Sequence, residues 1–225
     1  MHLVLIAGAA GADLATNLRA ALGDGGRMTV VAPTTRDAWV AGLKRCPDLD
    51  AHLRVDGPGS HGVADALEGL GFAAGWQRAD DSEMALRIVR TELLHAGFSL
   101  TEATRALAAR SGATVDLLPL SDDRGEWHRV VDGPDGRRAV HVDEHGDAQG
   151  EEPWVLVHDT WTVSPAVLAA VDEADAVLVH GPASARGHLL DHAVSAVVGE
   201  RPGLAPVATG DHPPTDILRA VGALS

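Results

Sequence analysis

Cysteine and lysine are almost missing from these 225 residues, with Cys46 and Lys44 the single examples of each. A lone cysteine excludes an internal disulfide and any multi-cysteine zinc site, as expected of a reducing compartment. No apolar run reaches the roughly 20 residues that a membrane helix needs. The first apolar stretch, LVLIAGAA, lacks the basic flank and cleavage pattern of a signal peptide. The expectation is a cytoplasmic protein with no membrane span. Positive charge is also scarce: 18 Lys and Arg stand against 32 Asp and Glu, a formal net charge of -14. Such a surface repels a long phosphate backbone and excludes general nucleic-acid binding. A small phosphorylated ligand stays compatible, because a few backbone N–H groups and arginines can hold a diphosphate whatever the global charge.

What is present is 45% hydrophobic residues in a chain long enough to bury a sizeable core, so residues 1–225 are expected to form one α/β domain. HLVLIAG followed by ADLATNLRAAL, with Leu14, Leu18 and Leu22 at four-residue spacing, reads as strand, tight loop and helix. RMTVVAP is a second strand closed by Pro33. TTRDAW and PDLD then lie at the carboxyl edge of a nucleotide-binding type of sheet. SEMALRIVRTELLHAG and SLTEATRALAARSG are amphipathic helices, the second opened by a Ser99/Thr101 cap with Glu102 behind it, and both are closed by Gly97 and Gly112. They form a helical insertion over about 57–112. ATVDLLPLSDD is a buried strand with a polar end, WHRVVDGPDGRRAVHV a β-hairpin, and WVLVHD a strand with which the main sheet resumes. PAVLAAVDEADAVLVHG reads as a crossover helix and strand, and APVATGD with TDILRAVGAL as a last strand and helix.

Several short patterns allow two readings. GAAGAD (Gly8–Asp13) has the position of a phosphate loop, but lacks a Walker lysine and the full dinucleotide fingerprint, so its glycines also suit a plain turn. Asp37, Asp48 and Asp50 offer hard oxygen ligands suited to magnesium, or ordinary cap and turn roles. Ser121, Asp122 and Asp123 invite the same pair of readings. HLLDH (His188–His192) has zinc-compatible spacing without the glutamate of a metalloprotease, and reads better as a solvent-facing helix. No G-x-S-x-G elbow supports a hydrolase.

In order along the chain, DAWVAGLKRCPDLDAHL, GWQRADDSEMALRIVRTELLHAGFSLTEAT and VDLLPLSDDRGEWHRVV resemble successive segments of the 2-phospho-L-lactate transferase family of coenzyme F-420 biosynthesis. RTELLHAGFSLTEAT (Arg90–Thr104) followed by LLPLSDD is the most specific part, and the similarity is strongest from Asp37 to Val131. The resemblance implies a Rossmann-like, mostly parallel sheet flanked by helices, usually in a homodimer. It implies two substrates, the ribityl deazaflavin Fo and a guanosine diphosphate ester of a three-carbon acid, with Mg2+ to offset the diphosphate charge.

Carried over by position, the resemblance makes Asp37 and Asp50 the catalytic and metal-binding candidates. Its substrate-binding candidates are Gly8, Gly11, Thr34, Asp48, Asp81, Arg90, Thr91, Ser121, Asp122, Gly181 and Pro182. Two lapses stand out. The family's asparagine, threonine, glycine and two aspartates read PTTRD here, so that Arg36 replaces a carboxylate and either excludes the ion or pairs with phosphate itself. GPASARG keeps only Gly181 and Pro182 of a family loop, and the chain is shorter than the family pattern after His141 and toward its C-terminus. The alternative to an active transferase is therefore a lapsed paralogue that binds Fo, a guanine nucleotide or a partner protein without turnover.

Overall fold

β1 (His2–Ala7) is buried along its whole length, because it lies at the centre of a parallel sheet covered on both faces. The computed structural model describes residues 1–53, 59–72, 78–144, 154–157, 161–181 and 187–224. Five strands form the main sheet in the order β10-β9-β1-β2-β5, with β2 at Arg27–Ala32, β5 at Asp116–Pro119, β9 at Ala176–His180 and β10 at Val207–Ala208. All four pairings are parallel.

Successive side chains of a strand point to opposite faces, and β1 shows the result directly. Leu3, Leu5 and Ala7 join one core with α1 (Ala12–Leu22), α2 (Pro47–Leu53), α5 (Leu100–Ser111) and α8 (Pro214–Ala220). Val4 and Ile6 join a second core with α6 (Pro165–Asp172) and α7 (Gly187–Glu200). The result is a three-layer α/β arrangement, as expected from the alternation of strand and helix patterns.

The crossover from β2 to its neighbour β5 is long. It carries a small hairpin, β3 (Ala38–Val40) and β4 (Leu43–Arg45), then α2, α3 (Gly62–Gly69), α4 (Asp81–His95) and α5. The hairpin turn has positive φ at Ala41 and Gly42, 50° and 80°, a two-residue turn that suits the twist of paired strands. α5 opens with a capping box between Ser99 and Glu102 and closes at Gly112 in the left-handed region, φ 70°. Leu100 and Leu107 of α5 belong to the first core, so the inserted helices are built onto the sheet.

One expectation is corrected. β8 (Trp154–Val157) does not resume the main sheet; it pairs antiparallel with β6 (Glu126–Gly133), which also pairs with β7 (Gly136–His141). An antiparallel partner such as β6 needs no crossover connection, whereas a place in the parallel sheet would. PDLD keeps its place at the sheet edge as the first turn of α2, with Pro47 at the helix start, where proline's fixed φ and missing N–H cost nothing.

Candidate functional site

The strand order runs outward from β1 in both directions, to β2 on one side and β9 on the other, so their carboxyl ends diverge at a topological switch point. A cleft opens there. Its walls include Gly8, Ala9 and Ala10 after β1, Pro33, Thr35 and Arg36 after β2, and His180 at the end of β9. Gly181, Asp48 and Leu190 complete it among the described residues, whereas Asp37 and Asp50 do not face it.

Asp48 enters this edge from α2. Its Oδ1 accepts the Ala9 N–H at 2.8 Å, and a Cβ built on Gly8 would come within 2.8 Å of the same oxygen. Glycine is therefore required at position 8 for the approach of a carboxylate. Gly11 serves packing instead: a Cβ there would lie 2.5 Å from that of Ala7 and 3.4 Å from the His180 ring.

Arg36 crosses the mouth of the cleft. Its Nε and Nη2 donate to the two carboxylate oxygens of Asp143, at 2.8 and 3.2 Å, in a fork, while Nη1 makes only a long 3.5 Å contact with Asp48. Arg45 donates to Asp143 from the other side at 2.6 Å. Burial alone would raise Asp143, but the two guanidinium groups hold it below the usual carboxylate range. Asp48 goes the other way, pushed up by burial against the pull of Arg36 and the Ala9 N–H.

Behind the cleft wall lies a buried ionic layer that uses both catalytic candidates. Asp37 Oδ2 accepts from Cys46 Sγ at 3.1 Å and lies 3.4 Å from Lys44 Nζ. Burial raises Asp37 to about 6 even though Lys44 opposes it. Burial lowers Lys44, but Asp37 more than reverses that, so the two partners shift in opposite senses with respect to charge. We take the pair as ionised at neutral pH, with the carboxylate protonating first on acidification. Asp50 pairs with Arg90, which is fully buried and also donates to the Lys44 carbonyl at 3.3 Å. Thr91 accepts the Lys44 N–H at 2.8 Å and donates to the Arg87 carbonyl, tying β4 to α4.

The other candidates are distributed around the fold. Thr34 accepts the Trp161 indole N–H at 3.2 Å. Asp81 accepts from Ser60, Gly62 and Val63, anchoring the start of α3. Asp122 accepts the Thr101 N–H and the hydroxyls of Thr101 and Ser164, binding the N-terminal ends of α5 and α6 to the end of β5. Ser121 is fully buried beside it and accepts the Asp123 N–H. Gly181 reaches the cleft, and Pro182 lies outside the described residues, as does the side chain of His188. His192 is exposed on α7, as the solvent-facing reading of HLLDH expects.

Sequence reasoning missed His180, Asp143 and Thr35. Only His180 carried a local signal, the end of the apolar run AVLVH before a glycine. His180 Nδ1 is 2.7 Å from Thr209 Oγ1, and that hydroxyl also lies 3.5 Å from the Gly210 carbonyl oxygen.

Residues 3–186 match the family of 2-phospho-L-lactate transferase CofD. The chain belongs to that family. A curated phosphoenolpyruvate transferase of Kitasatospora aureofaciens is 34% identical over 93% of this chain and 73% of its own length. That of Streptomyces avermitilis is 36% identical over 79% of this chain and 61% of its own. The chain thus spans less than two thirds of several of these relatives. Two solved structures from Bacillus halodurans, one described as a member of the UPF0052 family, share the fold. Both have a TM-score of 0.56, at 14 and 16% identity, and cover 91 and 92% of this chain and 66 and 67% of theirs.

For this member of the CofD family the expected magnesium ligands do not fit a divalent ion. Asp37 and Asp50 are turned to Lys44 and Arg90, and Asp48 to Arg36 and Ala9. Among the described residues no group of three or more His, Cys, Asp or Glu side chains is placed to hold a metal. No helix among them is long and apolar enough to cross a membrane.

Proposed function

We propose that the protein joins a three-carbon acid phosphate, carried as its guanosine diphosphate ester, to the deazaflavin Fo in coenzyme F-420 biosynthesis. Enolpyruvate is the acid we infer, following the relatives named phosphoenolpyruvate transferase. The observation that carries the reading is the cleft at the switch point between β1 and β9, the place where open α/β sheets bind ligands, in a chain of the CofD family.

In this reaction the ribityl hydroxyl oxygen bonds to the acyl-bearing phosphorus as the bond to GMP breaks, and its proton passes to a base. His180 suits that role. If the Thr209 hydroxyl proton is directed to Gly210, the ring proton sits on Nδ1 and Nε2 is left as the acceptor. The protein's other contribution is alignment and charge: the backbone at Gly8–Ala10 and the side chains after β2 line the phosphate edge. Homodimer formation is part of the same reading, supported by exposed Phe72 and Ile88 beside α3 and α4. Binding without turnover is favoured by one observation, the Asp48 carboxylate already seated on the Ala9 N–H.

The test is incubation of purified protein with Fo and the guanosine diphosphate ester of enolpyruvate or of lactate, followed by mass spectrometry of the flavin product and quantitation of GMP. The phosphodiester of Fo is expected, with enolpyruvate preferred. Absence of GMP release from both esters removes the transferase and leaves a binding protein.

A further inference from the structure

We propose that Arg36 and Thr35 form a metal-independent anion site, with the Arg36 guanidinium standing as the resident cation where a phosphate or diphosphate enters the cleft. Only the choice of GDP as probe rests on the transferase reading.

Three observations carry this. First, Arg36 is placed as a counter-cation. It lines the cleft, its side chain is 23% exposed, and Asp143 grips it through Nε and Nη2, which leaves Nη1 facing Asp48 at 3.5 Å. A charge-assisted N–H···O bond is normally about 2.7–2.9 Å, so Nη1 keeps donor capacity for an anion. Second, the Thr35 hydroxyl is buried in the cleft wall and has no hydrogen-bond partner among the described residues. A buried hydroxyl without a partner is costly unless a ligand supplies one. Third, the local charge is already balanced without an ion: Arg36 and Arg45 face Asp48 and Asp143. A divalent cation entering between them would meet a guanidinium, whereas an anion would meet, beside the Asp48 carboxylate, the fixed planar donor of Arg36 and a Thr35 hydroxyl with no hydrogen-bond partner among the described residues.

Calorimetric titration separates this site from a magnesium site. Magnesium alone is titrated into the wild type and into Arg36→Asp, and GDP is titrated into the wild type, Arg36→Gln and Thr35→Val, each with magnesium and with EDTA. Thermal melts check that each variant is folded. The wild type is expected to give no magnesium binding, and Arg36→Asp to acquire it. GDP should bind the wild type with affinities within about twofold in magnesium and EDTA, and about tenfold more weakly to Arg36→Gln in both. Thr35→Val, nearly the same shape without the hydroxyl, should weaken GDP several-fold. Magnesium binding by the wild type, or GDP affinity that needs magnesium and survives Arg36→Gln, overturns the proposal. If GDP binds nothing, inorganic pyrophosphate replaces it as the probe: binding that depends on Arg36 sustains the anion site while the nucleotide reading fails, and no binding of either sinks both.

Discussion

Arg90 of α4, with no solvent exposure, meets the carboxylate of Asp50 from the first turn of α2. The contact joins the inserted helices to the segment that also delivers Asp48 to the cleft. Removing one partner of a buried pair strands the other charge, and Asp50→Asn is expected to lower stability by about 3 kcal/mol. Urea unfolding should show Asp50→Leu with Arg90→Met together costing less than the sum of the single changes. Additive losses would mean that the two side chains do not act as a pair.

Asp37 makes stability depend on pH in an unusual sense. Its folded value of about 6 lies above the 3.8 of an unperturbed aspartate, so the folded state binds the extra proton. Its contribution to stability is then most favourable below pH 4 and falls as pH rises from about 4 to about 6, by up to about 3 kcal/mol. The difference in unfolding free energy between wild type and Asp37→Asn should decline across that window. A flat difference would mean that Asp37 titrates near its ordinary value when folded.

Gly8→Ala puts a methyl group where the Asp48 oxygen sits. Either the carboxylate leaves the Ala9 N–H or the turn shifts, and a loss of about 1–3 kcal/mol is expected, as for overpacking. Combining Gly8→Ala with Asp48→Ala should recover part of it, which thermal melts of the two variants would reveal.

Asp122 belongs to the framework. Asp122→Ala leaves the first turn of α5 and the Ser164 hydroxyl without their acceptor, and should cost about 2 kcal/mol in chemical denaturation. An unchanged midpoint would return Asp122 to the list of ligand contacts.

His180→Gln should retain GDP affinity while turnover with Fo falls by about 10²–10⁴, the usual range for a general base. Equal turnover in the two proteins would assign proton acceptance to another group.

The layers of the fold were legible because β1 is an unbroken apolar run, while α1, α5 and α6 carry helical spacing and caps such as Ser99 with Glu102. β3 and β4 are three residues each, too short for an alternating pattern, and β8 has the same composition whichever sheet it joins. For the site, Gly8 and Asp48 could be placed at the ligand edge from sequence. That Asp37 and Asp50 point inward could not, since it depends on Lys44 and Arg90, which become their neighbours only in the folded chain. Asp143, about a hundred positions from Arg36, gave no local sign of that pairing.

The central strand must wait for one of its two neighbours. β1 takes one partner, β2, from nearby sequence and the other, β9, from far along the chain, and the His2 N–H closes on Asp175 across 173 positions. During synthesis, the edge of β1 that will face β9 therefore stays open while almost all the intervening chain emerges, an apolar edge available to the wrong strand. Overexpression should then be limited by misassembly of unfinished chains more than by the stability of the finished one, and slower translation should raise the soluble yield.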